Sequence, residues 1–204
     1  MPLRSPVLFT VGAIVLAGFL SSFLSGCKST TTERLQLDEP ATVQQVDLSR
    51  YVGTWYEIAS YPQRFQKGCT GTTATYTLKD NGEIKVVNRC RLGTLDGEPK
   101  MAEGRARVVD TATNAKLQVS FFGPFWGDYW VFELDDGYRY AAVGAPSRDY
   151  LWVLSRTPQM PAADYDALLK KLESKGFPLD RLQKTAQPEK APAAPPDQAP
   201  AAQP

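Results

Sequence analysis

The chain contains no histidine among its 204 residues and only three cysteines, Cys27, Cys69 and Cys90. Lacking imidazole, it has neither the commonest metal ligand nor the usual general base, and no Cys-His nucleophile is available. No metal site and no cofactor is therefore expected. Charge of one sign is missing too: 23 Lys and Arg stand against 22 Asp and Glu, and the two signs alternate without long blocks. A nucleic-acid partner needs a concentrated basic surface, so it is excluded as a reading. Long apolar runs are absent from the chain, apart from one between Val7 and Leu24.

That run follows Arg4 and ends in Leu24-Ser25-Gly26-Cys27, so a short positive region, an apolar stretch and small residues precede a cysteine. The order is that of a cleaved export signal and not of a retained membrane helix. It resembles a bacterial lipoprotein signal, which implies cleavage before Cys27 and a lipid anchor on that cysteine, with diacylglycerol and palmitate-type chains. More than one acyl chain gives stable anchoring. Lys28 follows the anchor, which by analogy favours the outer membrane with the domain facing the periplasm. Cys69 and Cys90 then remain as an even pair in an oxidising compartment, either as a disulfide or as two buried thiols.

Without the leader, residues 1–26, about 178 residues remain, enough for one domain. Residues 27–46 are polar around Thr30 to Thr32 and read as the lipidated N-terminus and a flexible tether. The domain is assigned to 47–186. Residues 187–204 are Ala, Pro and Gln with little to bury, and read as a disordered tail with polyproline character.

Between Tyr51 and Arg156, short β-branched and aromatic runs alternate with turn residues and predict eight strands. Their expected spans are Gly53 to Ser60, Cys69 to Leu78, Ile84 to Leu92, Met101 to Val109, Lys116 to Phe121, Asp128 to Leu134, Tyr138 to Gly144 and Leu151 to Ser155. Asp80-Asn81-Gly82 and Asp135-Asp136-Gly137 predict hairpin turns, because Gly and Asn tolerate positive φ. Eight such strands make either a sandwich or a closed barrel, and periodicity does not choose between them. A helix is expected from Pro161 to Lys175, with Tyr165, Leu168, Leu169 and Leu172 on one stripe for packing outside the sheet and Gly176 as its stop.

Three segments carry a resemblance to a family. They are Asp47 to Ile58 with its Gly53-Thr54-Trp55 signature, Lys116 to Gly127 (KLQVSFFGPFWG), and Arg148 to Pro158 with Trp152 and Arg156. In this order and spacing, they resemble the lipocalins, in particular the bacterial outer-membrane lipocalins related to apolipoprotein D. The resemblance implies an all-β fold: an eight-stranded antiparallel up-and-down barrel with a C-terminal α-helix packed on the outside. It also implies that Trp55 plugs the closed end with Arg156 laid across its indole, Gly53 leaving room beside them. Several bacterial members are thought to form homodimers.

Alternation from Trp55 places Glu57 and Ala59 on its face, and Tyr150, Trp152, Leu154 and Arg156 on one face of the last strand. Tyr76, Tyr138, Tyr140, Tyr150 and Trp152 are the expected ligand-binding residues, and filling of the core is the alternative for each. Phe65, Phe125 and Trp126 lie in or beside loops and are expected at the rim. Cys69 and Cys90 sit on opposite arms of the Asn81-Gly82 hairpin, but ideal pairing puts position 69 opposite position 94, so a bond between them needs a bulge or a longer loop. The family implies carriage of a fatty acid or lysophospholipid for membrane maintenance or stress response, with the membrane itself as the other partner. A structural lipoprotein bridging envelope layers through its Pro-rich tail is the alternative. A lipid-processing enzyme is less favoured, since no nucleophile or acid–base pair stands out and no catalytic residue is assigned.

Overall fold

The computed structural model describes residues 38–191; the leader, Cys27, most of the tether and the end of the tail lie outside the described residues. A single helical turn, α1 (Leu48–Tyr51), precedes eight strands: β1 (Gly53–Ser60), β2 (Cys69–Leu78), β3 (Ile84–Leu92), β4 (Pro99–Val108), β5 (Lys116–Ser120), β6 (Gly127–Leu134), β7 (Tyr140–Gly144) and β8 (Leu151–Ser155). Each strand pairs antiparallel with the next, and β1 pairs with both β2 and β8, so the sheet closes on itself. Closure decides between sandwich and barrel, leaving few strand edges open to other chains. Asp47 caps α1, its carboxylate accepting from the backbone N–H and hydroxyl of Ser49 at 2.9 and 2.6 Å.

Helix α2 (Ala162–Ser174) lies on the outside, followed by a short strand β9 (Gln183–Lys184). Leu168 and Leu172 are buried, while Tyr165 and Leu169 are partly buried against Phe132, Ala142, Val153 and Phe177. Gly176, at φ +80°, ends the helix, and the Phe177 N–H returns to the Leu172 carbonyl. The described residues thus form two apolar clusters, one between helix and wall and one inside the barrel.

Bulges determine which face each strand presents. One between Glu57 and Ala59 in the β1–β8 ladder turns Ala59 outward to the helix, against the expected continuation of Trp55's face. Another, between Val131 and Glu133, lies in β6, whereas β7 pairs with β8 in unbroken register, which sets Ala141 and Val143 beside Leu154 and Trp152 in the barrel core and Tyr140 beside Ser155 on the helix side. In the β6–β7 hairpin the positive φ belongs to Tyr138, at +59°, and not to Gly137 as expected. The turn is held by the Tyr138 N–H on the Asp135 carbonyl, and by the Asp135 carboxylate on Gly137 and Arg139. Tyr138 is accordingly a turn residue, outside β7.

Both flanks of the barrel within the described residues are tied down further than composition predicts. Residues 38–46, expected as tether, pack on the barrel: Pro40 and Val46 are buried, and the Val43 and Val46 N–H groups donate to the Val131 and Thr113 carbonyls. At the other end, β1 pairs with β2 only from Gly53 to Tyr56. Beyond that the C-terminal segment fills the split, β9 pairing with Ala59 and Ser60 while the Gly71 N–H donates to the Ala186 carbonyl. Gln187, expected to begin the disordered tail, instead bridges the two strands, its side-chain amide donating to the carbonyls of Glu57 and Thr72 at 2.8 Å each.

Cys69 and Cys90 form a disulfide with Cα atoms 5.4 Å apart. The bulge that this bond requires is present: the β2–β3 register shifts between Thr70 and Thr73, where Gly71 takes φ +56°, so Cys69 pairs with Leu92, two residues from Cys90. The bond spans a sequence separation of 21. Chain entropy predicts that replacing both cysteines by alanine costs about 3 kcal/mol. For a domain of this size the thermal midpoint should then fall by about 6–12 °C, measurable by circular dichroism.

Candidate ligand-binding cavity

The closed end of the barrel is built on Trp55, fully buried, whose indole N–H donates to the Tyr51 carbonyl at 2.8 Å. The Arg156 guanidinium carbon lies 3.8 Å from the centre of that ring. Its nitrogens donate to the carbonyls of Thr54 at 3.0 Å, Arg50 at 2.7 Å and Tyr51 at 3.1 Å, with a longer contact of 3.4 Å to Tyr138. One cation thus satisfies the loose end of α1, the start of β1 and the β6–β7 turn. Burial pulls its pKa down, from a starting point so high that the group stays charged at neutral pH. Gly53, at φ +95°, runs so close that an added Cβ would lie 3.3 Å from Arg156 Nη1.

Above this plug lies a cavity of about 820 Å³, open at the far end. Leu48, Tyr51 and Val52 form its floor, and Ile84, Val86, Leu117, Val119, Val143 and Leu154 line its sides. Three tyrosines meet near the floor: the Tyr129 hydroxyl is 2.7 Å from that of Tyr51 and 2.9 Å from that of Tyr76. Burial, more than any other cause, raises all three pKa values, that of Tyr76 to about 12 and those of Tyr51 and Tyr129 higher still.

Higher up, Glu57 lines the wall although it is only 5 % exposed. Its carboxylate accepts from Ser60, Gln66 and Thr185 at 2.9, 2.7 and 2.6 Å, joining β1 to the following turn (Arg64–Gln66) and to the C-terminal segment. The same Gln66 accepts from the Trp152 indole at 2.9 Å, and Tyr150 stacks on Trp152 with ring centres 6.0 Å apart. At the mouth, Phe65, Phe122 and Phe125 are 58, 80 and 76 % exposed. Trp126 is held there under Arg107, 4.2 Å from its ring.

A plugged, open-mouthed eight-stranded barrel has counterparts among known proteins. The model of the "Lipocalin-like domain" family matches residues 46–187. The outer membrane lipoprotein Blc of Escherichia coli K12 is 39 % identical over 175 residues, 86 % of this chain and 96 % of that protein. Temperature-induced lipocalin-1 of Arabidopsis thaliana is 40 % identical over 79 % of this chain and 88 % of its own, and apolipoprotein D of Macaca fascicularis is 35 % identical over 72 % and 80 %. The chain belongs to the lipocalin family. Among solved structures, insecticyanin from Manduca sexta aligns over 72 % of this chain and 84 % of its own with a TM-score of 0.58 at 22 % identity, a likeness of fold. This lipocalin is a lipid-anchored outer-membrane protein and a binder of lipophilic ligands, not an enzyme.

Of the residues expected to line its cavity, Tyr76, Tyr150 and Trp152 do so, as do Phe65, Phe125 and Trp126 at the rim. Tyr138 and Tyr140 do not. The Tyr138 hydroxyl accepts the Asp47 N–H at 2.8 Å, with Arg50 over its ring, outside the closed end. Tyr140 packs on the helix side, because it lies opposite Ser155 in the unbroken β7–β8 ladder and so on the face away from Trp152 and Leu154. Sequence reasoning missed Tyr51, Tyr129 and Phe122. Counting back by twos from Val131 would have found Tyr129, and Phe122 belongs to the FFGPFW run already singled out, whereas Tyr51 carries no periodic signal because it lies in a single helical turn.

Two outcomes follow from this geometry. Arg156→Ala removes the cation–π contact and the charged hydrogen bonds to buried carbonyls, so a loss of about 2–4 kcal/mol is expected in urea unfolding. The tyrosines hold their protons more tightly folded than unfolded, so their stabilisation is full below about pH 10, the unfolded value, and is lost as pH rises through about 12, where Tyr76 ionises. Ultraviolet titration near 295 nm should show these three ionising only together with unfolding.

Proposed function

We propose that this lipocalin holds one fatty acid or lysophospholipid in its barrel, anchored through acylated Cys27 with the domain facing the periplasm, and serves membrane maintenance or stress response. The observation that carries this reading is the cavity itself. Its volume of about 820 Å³ falls within the range of small-molecule pockets, and its sides are aliphatic and aromatic. Each methylene moved from water into such a site contributes about 0.8 kcal/mol before ordering costs. Tyr76, Tyr150 and Trp152 would contact the chain along the wall, while Phe65, Phe122 and Phe125 around the mouth would ease its passage from a bilayer.

The test is a titration of the delipidated mature chain carrying Cys27→Ser, with fatty acids and lysophospholipids below their micelle thresholds, followed by tryptophan emission. Saturable one-to-one binding is expected, weakened about tenfold or more by Trp152→Ala. Absence of saturable binding by protein with native circular dichroism rejects the reading.

A further inference from the structure

The three hydroxyls near the cavity floor are unusual in their proton count. Tyr51, Tyr76 and Tyr129 bring three O–H protons, yet the cluster contains two hydrogen bonds, Tyr51 to Tyr129 and Tyr129 to Tyr76. A proton shared between two hydroxyl oxygens occupies one donor. The third is free to turn into the cavity, where the neighbouring wall is formed by apolar side chains such as Ile84, Val86 and Leu117. A donor on an apolar wall favours any ligand that brings it an acceptor. Tyr51 and Tyr76 are 4 and 8 % exposed and Tyr129 is half-buried, and all three line the cavity.

The field at this point is also of one sign. Directly beneath Tyr51, whose ring centre is 5.1 Å from that of Trp55, the Arg156 guanidinium lies on the indole, and its charge acts on both Tyr51 and Tyr76. The three phenols stay protonated at working pH, hence they act as donors and not as anions. Three neighbouring donors above a half-buried cation form a receptor for a small oxygen acceptor carrying negative charge.

We infer that the tyrosine cluster is a carboxylate subsite, and that a fatty acid binds head-down with its carboxylate on Tyr51, Tyr76 and Tyr129 and its methyl end toward the mouth. This rests on the proposed carriage of an acyl lipid and narrows it to the free acid, since a phosphate-bearing head group is too large and too hydrated for a floor closed by α1. Each hydroxyl can turn its proton to the ligand, exchanging hydroxyl–hydroxyl bonds for charge-assisted ones.

Two measurements on the full mature chain carrying Cys27→Ser test it. The first uses contact quenching by brominated ligands, read by Trp126 and Trp152, the tryptophans that line the cavity. With 16-bromohexadecanoic acid, quenching is expected to be strong, because the bromine lies near the mouth, and with 2-bromohexadecanoic acid weak; the reverse order overturns the orientation. In the second, Tyr129→Phe removes the central hydroxyl. It should weaken hexadecanoic acid about tenfold while leaving 1-bromohexadecane, which has no oxygen, within twofold. Equal changes for both ligands, or none for either, overturn the subsite. Tyr76→Phe, which leaves the Tyr51–Tyr129 pair intact, should show the same selectivity in lesser degree if the first variant fails to fold. If the parent protein binds neither ligand, acyl carriage itself fails and this subsite with it; binding without the expected order removes the subsite alone.

Discussion

Arg156 on the Trp55 indole decides where the barrel ends, and much of the architecture depends on that stop. Closing a sheet leaves an open tube at both ends, with carbonyls of the entering chain unsatisfied. A single guanidinium answers several of them at once, because its rigid fork reaches the last turn of α1, the start of β1 and the neighbouring hairpin from one position. Its flat face meanwhile lies on the indole it covers. The same arrangement holds α1 across the barrel, which turns Leu48, Tyr51 and Val52 into a floor. Gly53 is required where this cation passes the backbone, so the Gly-x-Trp signature is a statement about space as well as about an aromatic plug.

The barrel wall keeps two apolar faces apart. Residues beneath α2 interdigitate tightly, with Phe132 and Phe177 4.9 Å apart, and give the domain a conventional solid core. The inner face has no such filling above the tyrosines. Folding stability is thereby supplied in good part from outside the cavity, which leaves its interior free to accept a lipophilic molecule of variable shape.

Much of the fold was legible in the sequence, because strand length and turn chemistry are local. The bounds of β1, β2, β3 and β8 agree with those read from β-branched and aromatic runs, and the helix differs by one residue at each end. Face assignment was less accessible. Alternation is a parity count, and one extra residue inverts everything beyond it, which is why Ala59 faces the helix while Trp152, on a strand without a bulge before Arg156, faces the cavity. The Cys69–Cys90 bond shows the same effect from the other side, since its sequence spacing contradicts ideal pairing and only the irregularity at Gly71 reconciles them. Residues 38–46 and Gln187 were misjudged for a different reason. Their polar composition is that of a linker, and what holds them is hydrogen bonding to distant elements, through backbone N–H groups at Val43 and Val46 and through the side-chain amide at Gln187, which composition does not record.

The split between β1 and β2 has a consequence in time. Half of that seam is sealed by residues 183–187, so Glu57 reaches its partner Thr185 across 128 positions of chain. A wall whose last course is laid by residues 183–187 cannot be finished while any earlier part of the domain is still missing. Assembly therefore runs against a long loop-closure cost and is slow relative to local hairpin formation. For a polypeptide delivered to its compartment end-on and unfolded, such late sealing keeps the barrel incomplete until the whole domain has arrived.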